Sequence, residues 1–296
     1  MLLSKQVKSV LNSHKKRDSW FLTDYSVNPY EGCSCNCLYC YIRGSKYGEN
    51  MAEKLSVKSN ALSVLKKQLY NRAIKRQHGF VALGSATDAY MPQEEELRLT
   101  EGMLKLLLQY RFPVFISTKR DLITRDLDIL KQIDSNAILP FDLKEQFNRG
   151  LILSVSISTM DKTISNILEP GACSPNERMQ LVQQLKKEGF VVGVNAIPVL
   201  PFISDTEEEL RKIISAAVAH QADYILIGGL TLFGNGSADS KTLYYKFLQL
   251  RYPLLIPRYD QLFNGNFYIP NSYHISLKKK ANAICKEYGI RTGILF

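Results

Sequence analysis

Five short stretches of the chain carry apolar and β-branched residues with few interruptions: FVALGS (80–85), PVFIST (113–118), LILSVSIS (151–158), FVVGVNAIP (190–198) and YILIGG (224–229). A sixth, DYSVNP (24–29), precedes them. Runs of this length predict strands, and near-continuous apolarity predicts a sheet buried on both faces. The segments between them repeat apolar residues at helical spacing. Glu94 to Tyr110 places Leu97, Met103, Leu104, Leu107 and Leu108 on one helix, and Arg125 to Ile133 forms a shorter one. Ser174 to Glu188 carries start and stop signals: a Ser174–Glu177 capping box, Pro175 at the first helical position and Gly189 past the end. Ser204 with Glu207 predicts the start of the next helix in the same way.

Strands alternating with helices at this spacing imply parallel strands joined by right-handed crossovers. Six such units make an α/β fold, either an open doubly wound sheet or a partial barrel. Residues 136–149 break the rhythm as an insertion, and beyond about residue 235 the sequence turns Tyr-, Pro- and Asn-rich before a helix near 272–288 and a last short strand, GILF. The expected organisation is an N-terminal segment (1–20), a core (21–235) and a C-terminal extension packed on it (236–296).

The formal net charge of +10 favours an anionic partner, with nucleic acid first. The positive residues are spread out, so a run such as Lys15-Lys16-Arg17 or Lys278 to Lys280 reads by itself as a solvated face. The first twenty residues scatter charges and lack the apolar centre of a signal peptide, and no apolar run is long enough to span a bilayer. A cytoplasmic protein with no membrane partner is expected, and in a reducing compartment clustered cysteines point to metal ligation rather than disulfides.

Four of the six cysteines lie in EGCSCNCLYCY (31–41). Cys33, Cys37 and Cys40 have the spacing C-x-x-x-C-x-x-C. Three thiolates on one short loop can hold three corners of a four-iron cluster and leave the fourth iron open, whereas a closed cluster takes four cysteines. Cys35 is either that fourth ligand or a bystander, and residues two apart on a tight loop reach opposite corners of one cube with difficulty. A zinc site is the other alternative, although zinc prefers paired C-x-x-C or His-containing sets and no second pair is present.

The Cys-x-x-x-Cys-x-Tyr-Cys motif resembles the signature of the radical S-adenosylmethionine (SAM) superfamily. The wider stretch NPYEGCSCNCLYCY is similar to its spore-photoproduct-lyase-like branch, often described as DNA repair photolyases. The likeness continues through GSATDAYMPQE (84–94), STKRDLITRDLDIL (117–130), VSIST (155–159), LEPGACSPNERM (168–179) and NAIPVLP (195–201), so it spans roughly residues 21 to 230 in order. It implies a partial (β/α)6 TIM-like barrel. Barrel active sites lie at the C-terminal ends of strands, and each of these motifs falls at such an end. Ser154, Ser156 and Ser158 alternate along one strand and so face one side.

The resemblance also implies chemistry. A [4Fe-4S] cluster on Cys33, Cys37 and Cys40 would bind SAM at its open iron. Reductive cleavage of SAM would give a 5′-deoxyadenosyl radical that abstracts hydrogen from a substrate, with an electron donor such as flavodoxin or ferredoxin as partner. Tyr39 would lie against the adenine, Lys119 would pair with the SAM carboxylate, and Ser85, Ser156 and Asn195 would complete the cofactor site. Asp88 reads either as an acceptor supporting the site or as a helix cap. Glu169 and Arg178 read as a local ion pair, or as part of the family pattern.

Thymine-dimer-repairing members use a hydrogen-donor cysteine on the strand after the cluster, where this chain reads ALGSATD with no thiol. Strict spore photoproduct lyase activity is therefore not implied, and Cys173 stands as the candidate substitute donor. The expected substrate is a nucleobase or DNA lesion. Tyr244, Tyr245, Arg251, Tyr252, Arg258 and Tyr259 form either a rim for it or a packed extension. The alternatives are radical SAM modification of a peptide or small metabolite, and a non-catalytic iron–sulfur module.

Overall fold

The computed structural model describes residues 3–45 and 55–295. Its strands are β1 (Leu3–Lys5), β2 (Leu11–Ser13), β3 (Thr23–Val27), β4 (Tyr30–Glu31), β5 (Ser56–Lys58), β6 (Phe80–Leu83), β7 (Val114–Thr118), β8 (Leu151–Ser156), β9 (Val192–Ala196) and β10 (Tyr224–Ile227). The helices are α1 (Ala61–Ile74), α2 (Glu94–Leu97), α3 (Leu99–Gln109), α4 (Leu127–Asn136), α5 (Lys162–Leu168), α6 (Pro175–Lys187), α7 (Glu207–Ala219), α8 (Ser240–Arg251), α9 (Ile256–Phe263) and α10 (Asn271–Tyr288). All six predicted strands stand in one sheet in the order β10-β9-β8-β7-β6-β3, each parallel to its neighbour, and β2 adds an antiparallel edge to β3. A small second sheet, β1-β5-β4, has no counterpart in the sequence reading, because its strands are only two or three residues long.

Period-two alternation sorts the strand residues into two environments. Outward-facing Val81, Val114, Ile116, Leu153, Val155, Val192 and Val194 pack in one core with Leu65, Leu69, Leu104, Leu107, Met179, Val182 and Leu185 of the surrounding helices. Inward-facing Phe80, Phe115, Ile152, Tyr224 and Leu226 form another, joined by Leu143 and Phe147 of the 136–149 insertion and by Ile294. The insertion thus plugs the N-terminal end of the barrel, with the Phe80 and Phe147 rings 6.2 Å apart. Each such side chain taken out of water contributes about 1.5–3 kcal/mol. Gly193 makes room for the plug: a Cβ there would lie 2.2 Å from the Tyr224 ring. The Tyr224 hydroxyl satisfies itself on Leu153 O at 2.9 Å and on Ser154 Oγ at 2.8 Å. Above this dry floor the inward positions become polar.

The capping box of α6 forms as predicted, with Ser174 and Glu177 bonded reciprocally. Three expectations are corrected. The helix from Glu94 to Tyr110 is broken at Arg98, whose φ is 47°. The buried Glu94 carboxylate turns back and accepts from Thr100 N at 2.9 Å and Glu101 N at 3.3 Å, so it takes up the free amides that open α3. Helix α7 is capped by Thr206, whose hydroxyl accepts from Glu209 N, and not by Ser204. Ser204 is buried, accepting from Leu200 N and donating to Ser158 O. GILF makes no strand as far as Leu295, and Phe296 lies outside the described residues. Instead Arg291 bridges to Tyr224 and Ile294 packs into the barrel floor.

Beyond residue 235, Tyr244, Phe247, Tyr259 and Phe263 share one apolar cluster with Leu200, Leu230 and Leu232 and with Cys33, Cys35 and Cys37. The C-terminal helices therefore back the cysteine loop. Among the described residues no helix is long and apolar enough to cross a membrane.

Candidate active site

The cysteine loop follows β4 and is stapled from three sides. Leu38 N donates to Leu168 O at 2.8 Å, and Gly171 N donates to Cys35 O at 3.0 Å. The second contact requires glycine, because a Cβ at 171 would lie 2.0 Å from Ser34 O. Arg43, buried, donates through Nε to Cys37 O at 3.0 Å and through Nη1 to Ala238 O at 3.2 Å, and it also holds the Asn36 side chain. One guanidinium thus ties the loop to the C-terminal extension.

All four thiols of the loop are free; Cys33, Cys35 and Cys37 are buried and Cys40 is half-buried. Cys33 Sγ accepts from Asp88 N at 3.3 Å. A hydrogen bond from Cys35 holds the Cys33 thiol below the ordinary range, while burial pushes Cys37 and Cys40 up. The two raised thiols must therefore shed protons when they bind metal. Among the described residues no three His, Cys, Asp or Glu side chains converge as the ligands of a single ion would. Thiolates that each hold a different iron of one cluster need not meet at a point.

Asp88, buried after β6, ties this loop to the end of β7. It accepts from Tyr90 N at 2.9 Å and Thr118 Oγ1 at 2.8 Å with one oxygen, and from Lys119 N at 2.7 Å with the other. Cys35 Sγ lies 3.7 Å from that second oxygen. Of the two roles weighed for Asp88, the structure shows the supporting acceptor. Burial pulls the Lys119 ammonium down, but the neighbouring Cys37, once ionised, and Glu169 more than offset it, so the Lys119 pKa is raised.

Tyr39, between the last two cysteines of the motif, is buried. Its hydroxyl meets Ser158 Oγ at 2.7 Å and donates to the Glu169 carboxylate. Glu169 also accepts from Ser158 at 3.3 Å and Ser165 at 3.1 Å, and pairs with the fully buried Arg178. Arg178 Nη1 reaches Ser156 O at 2.5 Å and so secures the end of β8. Burial alone would raise the Glu169 carboxyl; Arg178 and then Lys119 outweigh it and hold the pKa below its usual range.

Across the strand ends runs a short polar chain. Ser117 Oγ and Ser156 Oγ are 2.9 Å apart, and Asn195 Nδ2 donates to Ser117 Oγ at 3.3 Å. Ser156 and Asn195 are direct partners in the β8–β9 register. Asn195 Oδ1 is buried with nothing to accept from, and so are Thr87 Oγ1 and Ser34 Oγ beside the cysteine loop. Buried polar atoms left without partners are costly. Here they mark where a ligand's donors and acceptors fit. Free thiols, a cation and unmet polar atoms on one rim suit an iron–sulfur cluster with a polar nucleoside beside it.

The structure thus brings together Cys33, Cys37, Cys40, Tyr39, Lys119, Ser156 and Asn195. Ser85 lies at their edge: it is exposed, accepting from Asn28 Nδ2 at 3.3 Å, and its carbonyl takes the Tyr41 hydroxyl at 2.8 Å. Cys173 N bonds Lys119 O at 3.3 Å, but its half-buried thiol sits 3.8 Å from Asp121 Oδ1. Of the two readings of the tyrosine-rich stretch, packing holds for Tyr244 and Tyr259: both are buried, their hydroxyls 2.9 Å apart, with Tyr259 donating to Pro201 O at 2.6 Å. Sequence reasoning missed Ser117, Arg43 and Gly171. Ser117 alternates with inward-facing Phe115 and was legible in principle; the other two act through backbone contacts that no motif signals.

The family model of the radical SAM superfamily matches residues 27–217. The chain belongs to the radical SAM superfamily. It is accordingly an enzyme, and the superfamily's cofactors are SAM and an iron–sulfur cluster. An uncharacterized protein of Mycobacterium bovis is 27% identical over 270 residues, 89% of this chain and 74% of the relative. An uncharacterized protein of Methanocaldococcus jannaschii is 28% identical over 187 residues, 62% of this chain and 63% of that one. A radical SAM Nalpha-GlyT isomerase of Pseudomonas phage M6 is 20% identical over 202 residues, 68% of the chain and 38% of the isomerase. Among solved structures, a spore photoproduct lyase variant superposes with TM-score 0.67 at 14% identity over 97% of this chain and 79% of its own. Another, with bound AdoMet and dinucleoside spore photoproduct, gives TM-score 0.65 at 15% identity over 94% and 78%. At such identities the likeness shows a shared fold.

Proposed function

We propose that this radical SAM enzyme holds a [4Fe-4S] cluster on Cys33, Cys37 and Cys40 and acts on a base of a nucleic acid. Bound together, cluster and SAM supply a radical able to abstract hydrogen from an unactivated carbon. The chain's own residues place and shield that chemistry. Lys119 offers a positive charge for the SAM carboxylate. The Ser117–Ser156–Asn195 chain offers a donor-acceptor edge to the nucleoside. Tyr39, its hydroxyl anchored on Glu169, presents its ring between two cluster ligands. The apolar floor of Phe80, Phe115, Phe147 and Tyr224 fills the end of the barrel opposite the strand ends that carry the site.

The observation that carries this reading is the unmet Asn195 Oδ1 at the end of a polar chain beside the cysteine loop. A barrel serving only as a cluster staple or electron carrier has no use for it. The substrate class rests on the +10 charge and on the shared fold with a lyase that binds a dinucleoside photoproduct. The test is affinity for single- and double-stranded DNA and RNA as salt rises. Phosphate contacts give a steep linear fall of log affinity with log salt, and a flat response removes nucleic acid in favour of a peptide or small metabolite. UV-irradiated DNA offered to the reconstituted enzyme then asks whether the base acted on is a lesion.

A further inference from the structure

The turn that follows β9 carries a strained aromatic residue. Phe202 has φ 62°, a left-handed conformation that a bulky side chain rarely adopts. Its surroundings hold it there. Phe202 N donates to Asp205 Oδ1 at 2.6 Å, Tyr273 of α10 donates to Asp205 Oδ2 at 2.5 Å, and Tyr259 of α9 donates to Pro201 O at 2.6 Å. The Tyr259 ring meets Phe202 edge-on, with centroids 5.7 Å apart. A half-buried ring is thereby fixed at the strand-end side of the barrel. It packs against the apolar cluster that includes Cys33, Cys37 and Tyr39, and Ser204, in the same turn, bonds the carbonyl of Ser158, whose hydroxyl meets Tyr39.

On this ring stands Arg258. Its guanidinium carbon is 3.9 Å from the Phe202 centroid. Arg258 is exposed, and among the described residues it makes no hydrogen bond or ion pair. The acidic residue nearest to it in sequence, Asp260, accepts from the Tyr245 hydroxyl at 2.9 Å instead. An aromatic face under a guanidinium restrains the side chain before anything binds and leaves its fork of N–H donors open at the edge. That fork matches two oxygens of one phosphate.

We propose that Arg258 is a substrate-binding residue, held in place by Phe202, that grips a backbone phosphate of the nucleic-acid strand whose base enters the barrel. Phe202 is the positioning residue of the pair: it keeps the guanidinium at the rim, and the strained turn keeps Phe202. A phosphate contact fixes the strand and carries no information about the base, so Arg258 serves strands of different sequence alike.

This inference rests on the nucleic-acid reading, and the test separates the two. Fluorescent oligothymidylate and a mixed-sequence single strand of the same length are titrated with reconstituted wild type, Arg258→Ala, Arg258→Lys, Phe202→Leu and Lys66→Ala over a series of salt concentrations. Lys66 is an exposed cation on α1 and serves as the control. Loss of one single-strand phosphate contact lowers the slope of log affinity against log salt by about 0.7. Arg258→Ala should show that drop and bind both strands more weakly by the same factor. Arg258→Lys and Phe202→Leu, which keep a cation, should keep the slope and still bind more weakly. Lys66→Ala should match wild type. An Arg258→Ala slope equal to that of a steep wild type overturns the proposal, as does a loss confined to one of the two strands. Wild-type affinity in Phe202→Leu overturns the positioning role. A flat salt response in wild type sinks the nucleic-acid reading instead.

Discussion

Arg178 and Glu169 form an ion pair in which neither side chain is more than 1% exposed, and the pair carries Tyr39, which stands between two of the three candidate cluster ligands. A local salt bridge at the start of a helix would be worth little at the surface. Buried, it is a high-stakes connection: it links the end of β8, the α5–α6 loop and the cysteine loop through Ser156 O, Ser165 Oγ, Ser158 Oγ and the Tyr39 hydroxyl. Removing one partner leaves a desolvated charge. Glu169→Ala and Arg178→Met should each destabilise the fold by about 3–5 kcal/mol, read from chemical denaturation, whereas Tyr39→Phe, which removes one hydrogen bond, should cost about 0.5–1.5 kcal/mol.

The same pair sets a pH dependence. Glu169 lies below its ordinary value of 4.5 in the folded protein, so the unfolded state binds the proton more readily. Its contribution is fully present above about pH 4.5 and is lost as pH falls through the lower folded value. Denaturation midpoints measured from pH 7 down to pH 3 should decline in the acid range, and Glu169→Gln should flatten that decline while lowering the plateau. Equal slopes for the two proteins would assign the acid sensitivity elsewhere.

Gly171→Ala tests whether the loop is held as described. The added Cβ would sit 2.0 Å from Ser34 O, so either the loop or residues 169–173 must move. The expected result is a folded protein, costing about 1–3 kcal/mol for overpacking, that binds less iron on reconstitution. Full iron loading would show that the Gly171–Cys35 contact does not shape the site.

Much of this was readable in the chain. Five of the six core strands announced themselves because burial on both faces demands apolar residues at nearly every position, and 151–156 is buried at all six, whereas β3 alternates buried and half-buried residues. The three ligand candidates were legible from spacing, and the polar strand ends were legible from alternation. What escaped depends on contacts between distant residues. Ser204 carries a capping signature, yet its hydroxyl serves Leu200 N and Ser158 O in the interior, so Thr206 two residues later takes the cap. Glu94 looks like the first turn of a long helix, yet its carboxylate folds back over the Arg98 kink. The support given by Arg43 runs through carbonyl oxygens, which every residue possesses and no pattern distinguishes.

The polar chain at the strand ends should be felt in SAM affinity. Asn195→Ala removes the unmet acceptor and the bond to Ser117 together. Weakening of about tenfold, equivalent to about 1.4 kcal/mol, is expected for Asn195→Ala by calorimetry on the reconstituted protein, with iron content unchanged. Ser154→Ala, whose hydroxyl serves Tyr224 in the floor, should leave SAM binding as it was.

Cys173 is held toward Asp121 rather than toward the serine chain. Cys173→Ala should therefore leave the rate of substrate-free SAM cleavage unchanged. A product altered only in the presence of substrate would identify Cys173 as the hydrogen donor, and an unaltered product would return it to the wall of the site.

The central claim is that Cys33, Cys37 and Cys40 carry a cluster with one iron free for SAM. Its most direct measurement is the EPR spectrum of the anaerobically reconstituted, dithionite-reduced protein with and without SAM, followed by quantification of 5′-deoxyadenosine. The account predicts a [4Fe-4S] signal that changes when SAM is added, together with 5′-deoxyadenosine formation, both abolished by Cys37→Ala. A fully loaded protein whose signal ignores SAM and which yields no 5′-deoxyadenosine would contradict it.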